Sequence, residues 1–453
     1  MGIKKASNNL KNSNLSKGNF SKVINNASWL ISDKVFTMFI GVFVTAVIAR
    51  YFGPEQYGQF NYAWAFASLF ISISTLGLET LAVKSIVDKK VDEGVVLCTS
   101  LVIRVIGGTL LTLIASIIIR IIDPGDSTIH LLVLIISFTM IVKSVEVIEY
   151  WIQAHQKAKI SSLIRMIVYV LIALFKILLV VLGGSLIHYA LIYIVEAAII
   201  SGALVIAFFK KREEKTSWKF NFSYAKEILS QSWYLVLSGL MVSLYMRVDQ
   251  VMLGSMMSTK EEVGIYSAAV RIAEMWFFVP MAIITSFKPV IMKNKNINPE
   301  KYLNSLQLLY SIIAWTGIVF GIVILFMSKI IVNILYGEDF IEAASILSIS
   351  VWGGTFALLG SARSVWLVTE GLQKYSLLYT SAGMILNVIL NLILIPKMGA
   401  YGAAIATLAA QIFANVFVLY FFSKTKISTY MIIKAFSIPK LIRSIKAVRQ
   451  GRL

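Results

Sequence analysis

Among the ionisable side chains that interrupt long apolar runs of this chain, seven are candidates to line a cavity: Arg104, Lys176, Arg247, Asp249, Arg271, Glu274 and Arg363. A charge held at the centre of a bilayer costs about 2.5–3.5 kcal/mol on insertion scales, so such residues face a partner or a wet cavity rather than lipid. Arg271 and Glu274 stand three apart, as do Lys143, Glu146 and Glu149, so each set shares one helix face. The five deep cations, Arg104, Lys176, Arg247, Arg271 and Arg363, predict a cavity for an anionic passenger. Guanidinium suits phosphate in particular, because its planar fork donates two hydrogen bonds at once. Asp33, Lys34, Glu79 and Arg165 lie nearer the ends of their runs and read as headgroup-level or snorkelling side chains.

Little else in the chain points to chemistry. Glu146 and Glu149 could form an acid pair, but no nucleophile or metal motif accompanies them. His130, His155 and His188 have no metal-ligand spacing, and the single Cys98 excludes an internal disulfide. Gly107-Gly108, Gly183-Gly184 and Gly353-Gly354 lack the context of a phosphate-binding loop and instead allow close helix packing or bends. The expectation is a protein that is not an enzyme and needs no cofactor. Without a nucleotide-binding segment, energy must come from an ion gradient, the membrane potential or consumption of the passenger after transfer.

The elements that position these charges are membrane spans. The 453 residues are 58% hydrophobic and 14% charged, against about 45–50% and 25% in soluble domains. Mean hydropathy is +0.79. Twelve apolar stretches are each long enough to cross a hydrocarbon core of about 30 Å as helix. The tenth reads as either one long tilted helix or a short helix followed by a span. The expected organisation is a tail at 1–26 that is flexible and cytoplasmic, a six-helix bundle at 27–209, a cytoplasmic linker at 210–228, a second six-helix bundle at 229–422, and a basic amphipathic tail at 423–453. The first span would serve as an uncleaved anchor.

Net charge is +19, and most of it sits between spans and at the termini. Basic residues concentrate on one side: Lys4 to Lys22, Lys84 to Lys90, Lys157 and Lys159, Lys210 to Lys226, Lys288 to Lys301, Lys374 and the C-terminal tail. The other side holds little beyond Lys260, Lys329, Lys397, Arg50 and Arg120. The positive-inside rule therefore places both termini in the cytoplasm, and excludes nucleic acid as the reason for the charge. In the C-terminal tail, Lys434, Lys440, Arg443, Lys446 and Arg449 alternate with Ile432, Ile433, Phe436, Leu441, Ile442 and Ile445, a pattern suited to a helix on an anionic leaflet.

The two sets of six spans form a repeat. Aligning Trp151 with Trp366 also aligns Lys159 with Lys374, Ser161 with Ser376 and Gly184 with Gly399, without a gap. Tyr57-Gly58-Gln59-Phe60 after span 1 likewise matches Val263-Gly264-Ile265-Tyr266 after span 7. An even number of spans per copy starts both halves on the same side, which relates them by an axis along the membrane normal.

Ala49-Arg50-Tyr51-Phe52-Gly53-Pro54-Glu55-Gln56-Tyr57-Gly58 resembles the signature after the first helix of Wzx-type polysaccharide-unit flippases. These belong to the superfamily that includes the multidrug and toxin extrusion (MATE) transporters and the lipid II flippases. The resemblance continues through Leu76 to Glu79, Arg247 to Gly254, Val263 to Ala269, Tyr336 to Phe340, Asn387 to Pro396 and Gly399 to Ala404. It implies an all-α integral membrane protein of about 12 transmembrane helices in two V-shaped, MATE-like bundles around a central cavity. It also implies movement of an undecaprenyl-pyrophosphate-linked oligosaccharide across a bacterial cytoplasmic membrane, for O-antigen, capsule or exopolysaccharide. Expected partners are the lipid-linked oligosaccharide, membrane lipids, and a glycosyltransferase or polysaccharide polymerase. A MATE-like, cation-coupled drug exporter is the alternative, and would favour an acidic cavity.

Overall fold

The computed structural model describes residues 2–75, 77–212, 217–439 and 442, with side chains from residue 28 onward except 30, 31 and 296. All regular structure among them is helical. In order the helices are α1 (Gly2–Ser74), α2 (Leu78–Val87), α3 (Glu93–Ile122), α4 (Ser127–Val142), α5 (Ile148–Ala154), α6 (Ala158–Val181) and α7 (Leu186–Lys211). They are followed by α8 (Phe222–Met256), α9 (Glu261–Met275), α10 (Phe278–Ile297), α11 (Pro299–Tyr336), α12 (Ala343–Thr369), α13 (Lys374–Ile412) and α14 (Lys426–Ala435).

Helix ends follow local chemistry. Asp92 accepts hydrogen bonds from the Gly94 and Val95 amides to start α3, and Asp126 does the same for Thr128 and Ile129 at α4. Asn298 caps α11 with Pro299 in its first turn. Two long helices, α1 and α13, are each broken by a glycine. Gly53 (φ 71°, ψ 173°), followed by Pro54, kinks α1, and Gly399 (φ 53°, ψ −134°) kinks α13. Both glycines have positive φ, which L side chains rarely adopt.

Among the described residues, nine helical segments are long and apolar enough to cross a membrane, and α9 with α10, bent by 40°, makes a tenth. Two of these, Ser32–Val87 and Lys374–Phe421, have double length. Dividing them at Gly53 and Gly399 recovers the twelve spans expected. The tenth expected span resolves into a 3₁₀ turn, Glu338–Phe340, followed by α12. Span 4 is interrupted by a 3₁₀ turn at Lys143–Val147, which separates α4 from α5.

Two expectations for the termini change. Residues 2–26, expected to be flexible, continue α1 as helix; no proline precedes Pro54 to stop it. The C-terminal segment was expected on a membrane surface. Instead α14 buries Met431, Ile432 and Ala435 in a core cluster, and the Met431 carbonyl accepts from Gln307 Nε2 at 3.0 Å. Its apolar stripe is thus used within the protein. Lys440, Arg443, Lys446 and Arg449 lie outside the described residues.

By contacts the chain divides into two compact units, residues 1–44 with 70–237 and residues 45–69 with 238–453. The division follows packing rather than the repeat, since 45–69 belongs with the second unit. The first unit has a core of Leu78, Leu97, Ile148, Trp151, Leu204 and Phe208, with Trp151 edge-on to Phe208. In the second unit the core runs through Trp276, Leu309, Tyr310, Leu359, Trp366 and Tyr379.

Small residues let helices of the second unit approach closely. A Cβ on Gly58 would come 2.7 Å from the Lys260 carbonyl carbon and 2.9 Å from the Gly264 nitrogen. One on Gly264 would come 2.9 Å from the Pro54 carbonyl carbon and 3.1 Å from the Gly58 nitrogen. These two glycines occupy matching places in the repeated motif, so the copies of that motif cross backbone to backbone. Nearby, Glu55 Oε2 accepts from the Lys260 amide at 2.9 Å, and Lys260 Nζ donates to the Gly254 carbonyl at 2.7 Å.

Candidate functional site

The expected site residues fall in both units. In the first, Arg104 on α3 is buried and its Nη1 donates to the Tyr150 hydroxyl at 3.4 Å. Lys176 on α6 is also buried; its ammonium lies 4.0 Å from Glu196 Oε2 and 4.2 Å from the Tyr193 ring centroid. The aromatic face and the carboxylate together replace the water that this cation gives up.

In the second unit, Arg363 on α12 is 5% exposed. Its Nη1 donates to the Ala414 and Asn415 carbonyls, each at 3.4 Å, and its guanidinium stacks 4.7 Å from the Tyr379 ring. Those carbonyls belong to a π-helical turn, Phe413–Phe417. The wider turn releases acceptors that an α-helix would keep for itself. Arg363 thus has a structural setting of its own. Arg247 is half-buried, with Nη1 donating to Gln250 Oε1 at 3.5 Å. Arg271 is exposed and Glu274 half-buried.

Asp249 stands at the centre of a buried polar cluster. Its Oδ2 accepts from the Tyr266 hydroxyl at 2.6 Å and from the Thr407 hydroxyl, and its Oδ1 accepts from Asn391 Nδ2 at 2.6 Å. Asn391 Nδ2 also reaches Asn387 Oδ1, and Asn387 Nδ2 donates to Thr407 Oγ1 at 3.1 Å. The donors come from α9 and from both sides of the Gly399 kink in α13. Asn391 Oδ1 is buried without a hydrogen-bond partner. Two hydroxyls and one amide N–H thus converge as donors on one buried carboxylate. Among the described residues, no group of three or more His, Cys, Asp and Glu side chains is placed to hold a metal ion.

An open polar cavity lies instead in the first unit, with a volume of about 760 Å³. Asp33, Lys34 and Thr37 of α1 line it, with Glu79 and Val83 of α2, Glu149, Ile152 and Gln153 of α5, Ala158, Ser161, Arg165 and Tyr169 of α6, and Glu196 and Ile200 of α7. Arg165 grips Glu149 Oε1 through Nε at 3.0 Å and Nη2 at 2.6 Å, and Gln153 Nε2 donates to Glu79 Oε1 at 2.7 Å. Along α6 the lining runs from Ala158 to Tyr169, a rise of about 16 Å, so the cavity extends from the lysine-bearing end of the helix to about its middle.

Sequence reading placed Asp33, Lys34, Glu79 and Arg165 at headgroup level; the structure gathers all four on this cavity. Of the seven expected site residues none lines it directly, although Lys176 reaches Glu196, which does. The signal that could have found it was the three-residue spacing ending at Glu149, combined with Arg165 one span later. Which of several helices would face Glu149 was not legible.

Apolar membrane-length helices, two of them double-length and broken by glycine, and charges held inside the helical units mark a multi-pass, all-α membrane protein. A family model described as polysaccharide biosynthesis protein matches residues 23–295, more than half of the chain, and the chain belongs to that family. A second model, MatE, matches residues 235–393. The chain is 23% identical over 413 residues to the capsular polysaccharide biosynthesis protein CapF of Staphylococcus aureus, covering 89% of this chain and 100% of that one. It is 25% identical over 385 residues to a probable low-salt glycan biosynthesis flippase, Agl15, of Haloferax volcanii, covering 82% and 76% respectively. Among solved structures, the lipid II flippase MurJ in an inward closed conformation is similar, with TM-score 0.71, 17% identity, and 93% and 92% of the two chains covered. An inward-facing multidrug resistance MATE family transporter gives TM-score 0.64 at 15% identity, with 89% and 96% covered. At these identities the likeness to solved structures establishes the fold.

Proposed function

We propose that this protein is a flippase that moves undecaprenyl-pyrophosphate-linked oligosaccharide units across a bacterial cytoplasmic membrane, for capsule, O-antigen or exopolysaccharide. The observation that carries this reading is the charged cavity among apolar, membrane-length helices of a polysaccharide biosynthesis protein. Drawing a glycan headgroup through hydrocarbon would strip water from every hydroxyl and from the pyrophosphate, and each polar group left unpaired costs several kcal/mol. A polar cavity exposed first to one side and then to the other replaces those hydrogen bonds.

In this reading the repeat supplies two six-span halves, both termini are cytoplasmic, and the polyprenyl chain remains in lipid. Arg247 and Arg271, half-buried and exposed, are the cations in this reading that contact the pyrophosphate. The test is a proteoliposome assay in which the purified chain is supplied with undecaprenyl-pyrophosphate-linked oligosaccharide and the leaflet of the label is followed. Translocation above that of protein-free vesicles is expected, and equality with them would refute the reading. The MatE match over 235–393 favours a second reading, export of cationic drugs. Accumulation of a cationic dye in the same vesicles, without glycolipid transfer, would select it.

A further inference from the structure

We infer that the cavity of the first unit is a sugar subsite that accepts uncharged, hydroxyl-bearing sugars and rejects sugars carrying carboxylates. The inference rests on the flippase reading and assigns one part of that substrate to one place.

The argument begins with how the acceptors are distributed. Four carboxylates, Asp33, Glu79, Glu149 and Glu196, enter the cavity from four helices against two cations, Lys34 and Arg165. The carboxylates do not converge. Glu149 is held by Arg165, Glu79 by the Gln153 amide, and Glu196 faces Lys176. A metal ion needs oxygens gathered at about 2.0–2.6 Å around one point, and no such carboxylate group exists among the described residues. Dispersed acceptors match a ligand whose donors are also dispersed, and a sugar ring presents hydroxyls in all directions. Each carboxylate has two oxygens and about four lone-pair sites, so a partner already in place leaves room for a hydroxyl. Asp33 Oδ1 goes further, being buried with no hydrogen-bond partner.

Size and sign complete the case. A volume of about 760 Å³ falls in the usual range of about 300–1,000 Å³ for ligand pockets, enough for a short run of sugars. The Gln153 amide adds a group that can both donate and accept, and the Thr37 and Ser161 hydroxyls, whose protons go to main-chain carbonyls, add acceptors. The excess of acid opposes a uronic acid by like-charge repulsion, a specificity device that needs no extra contact.

The experiment uses the full chain in proteoliposomes with two probes, a lipid-linked oligosaccharide of neutral sugars only and the same compound with one uronic acid. The wild type is expected to move the neutral probe at least about tenfold faster, a lower bound for the several kcal/mol that juxtaposed like charges cost. In the variant Asp33→Asn with Glu79→Gln, which keeps the acceptor for Gln153, that ratio falls to about threefold or less, on the same scale. Equal rates for the two probes in the wild type overturn the inference without needing any variant, while leaving the flippase reading intact. A folded variant that keeps the wild-type ratio also overturns it. Transfer of neither probe by the wild type overturns the flippase reading and the inference with it.

Discussion

Replacing Gly58 with alanine adds one carbon at the crossing where the two copies of the repeated motif meet. That carbon would lie 2.7 Å from the Lys260 carbonyl carbon and 2.9 Å from the Gly264 nitrogen. Carbon atoms pack at about 3.5–4.0 Å, so the two backbones must part by about 1 Å. No side chain can yield in their place, because the atoms met are main chain. Parting strains the Glu55 to Lys260 amide bond at 2.9 Å and the Lys260 to Gly254 carbonyl bond at 2.7 Å. Overpacking costs about 1–3 kcal/mol, and a backbone clash belongs near the upper value. At about 1 °C per kcal/mol, the scale that about 2.1 cal/mol/K per residue sets for a chain of this length, the apparent melting temperature in detergent should fall by about 2–3 °C. Gly264→Ala acts on the same contact, so the double variant should lose less than the sum of the singles. Gly202→Ala on α7 is the control, since nothing lies within 4 Å of its added carbon. A Gly58→Ala protein that melts with the wild type would refute the close-crossing argument.

Three other predictions follow from the charges. Glu149→Gln keeps an acceptor oxygen but leaves the Arg165 charge without its counter-ion, so either Glu149→Gln or Arg165→Met alone should destabilise more than the two together, as a double-mutant cycle of melting temperatures would show. Asp249→Asn removes the charge that three side chains donate to, at about 1.5–3 kcal/mol per charge-assisted bond, and should lower both thermal stability and translocation; a variant as stable as the wild type would place the network outside the energetics of folding. Arg247→Ala and Arg271→Ala should abolish surface polysaccharide in cells while the protein remains in the membrane, and wild-type polysaccharide in both would remove them from the site.

Span number was legible because length and apolarity decide it directly. The glycine breaks at Gly53 and Gly399 were legible in part, as motif residues flanked by Pro54 and Ala400, but their backbone angles were not. Asp249 was found because a carboxylate in an apolar run must be explained. Its partners Tyr266, Asn387, Asn391 and Thr407 come from helices far apart in sequence, and nothing in spacing orders those helices around it. The cavity lining was read as interfacial for a related reason. Asp33, Glu79 and Arg165 sit near span ends, where snorkelling is the simpler expectation for any one of them. Only their meeting across α1, α2 and α6 makes a polar chamber, and that is a property of packing.

The two units treat their charges differently, and the difference bears on where a glycan would bind. In the second unit the deep ions are largely engaged within the protein, although Arg363 Nε is buried without a hydrogen-bond partner. Asp249 takes three donors, and Arg363 spends its guanidinium on two main-chain carbonyls and a tyrosine ring. A ligand displacing those partners would have to match hydrogen bonds already well made, with no gain from new ones. In the first unit the carboxylates keep spare acceptor capacity around open volume, and Asp33 Oδ1 has no partner at all. There a hydroxyl adds a bond without breaking one. The five cations expected to share one cavity are dispersed, Arg104 and Lys176 in the first unit and Arg247, Arg271 and Arg363 in the second. The two packing units thus differ in how far internal partners use up their charges.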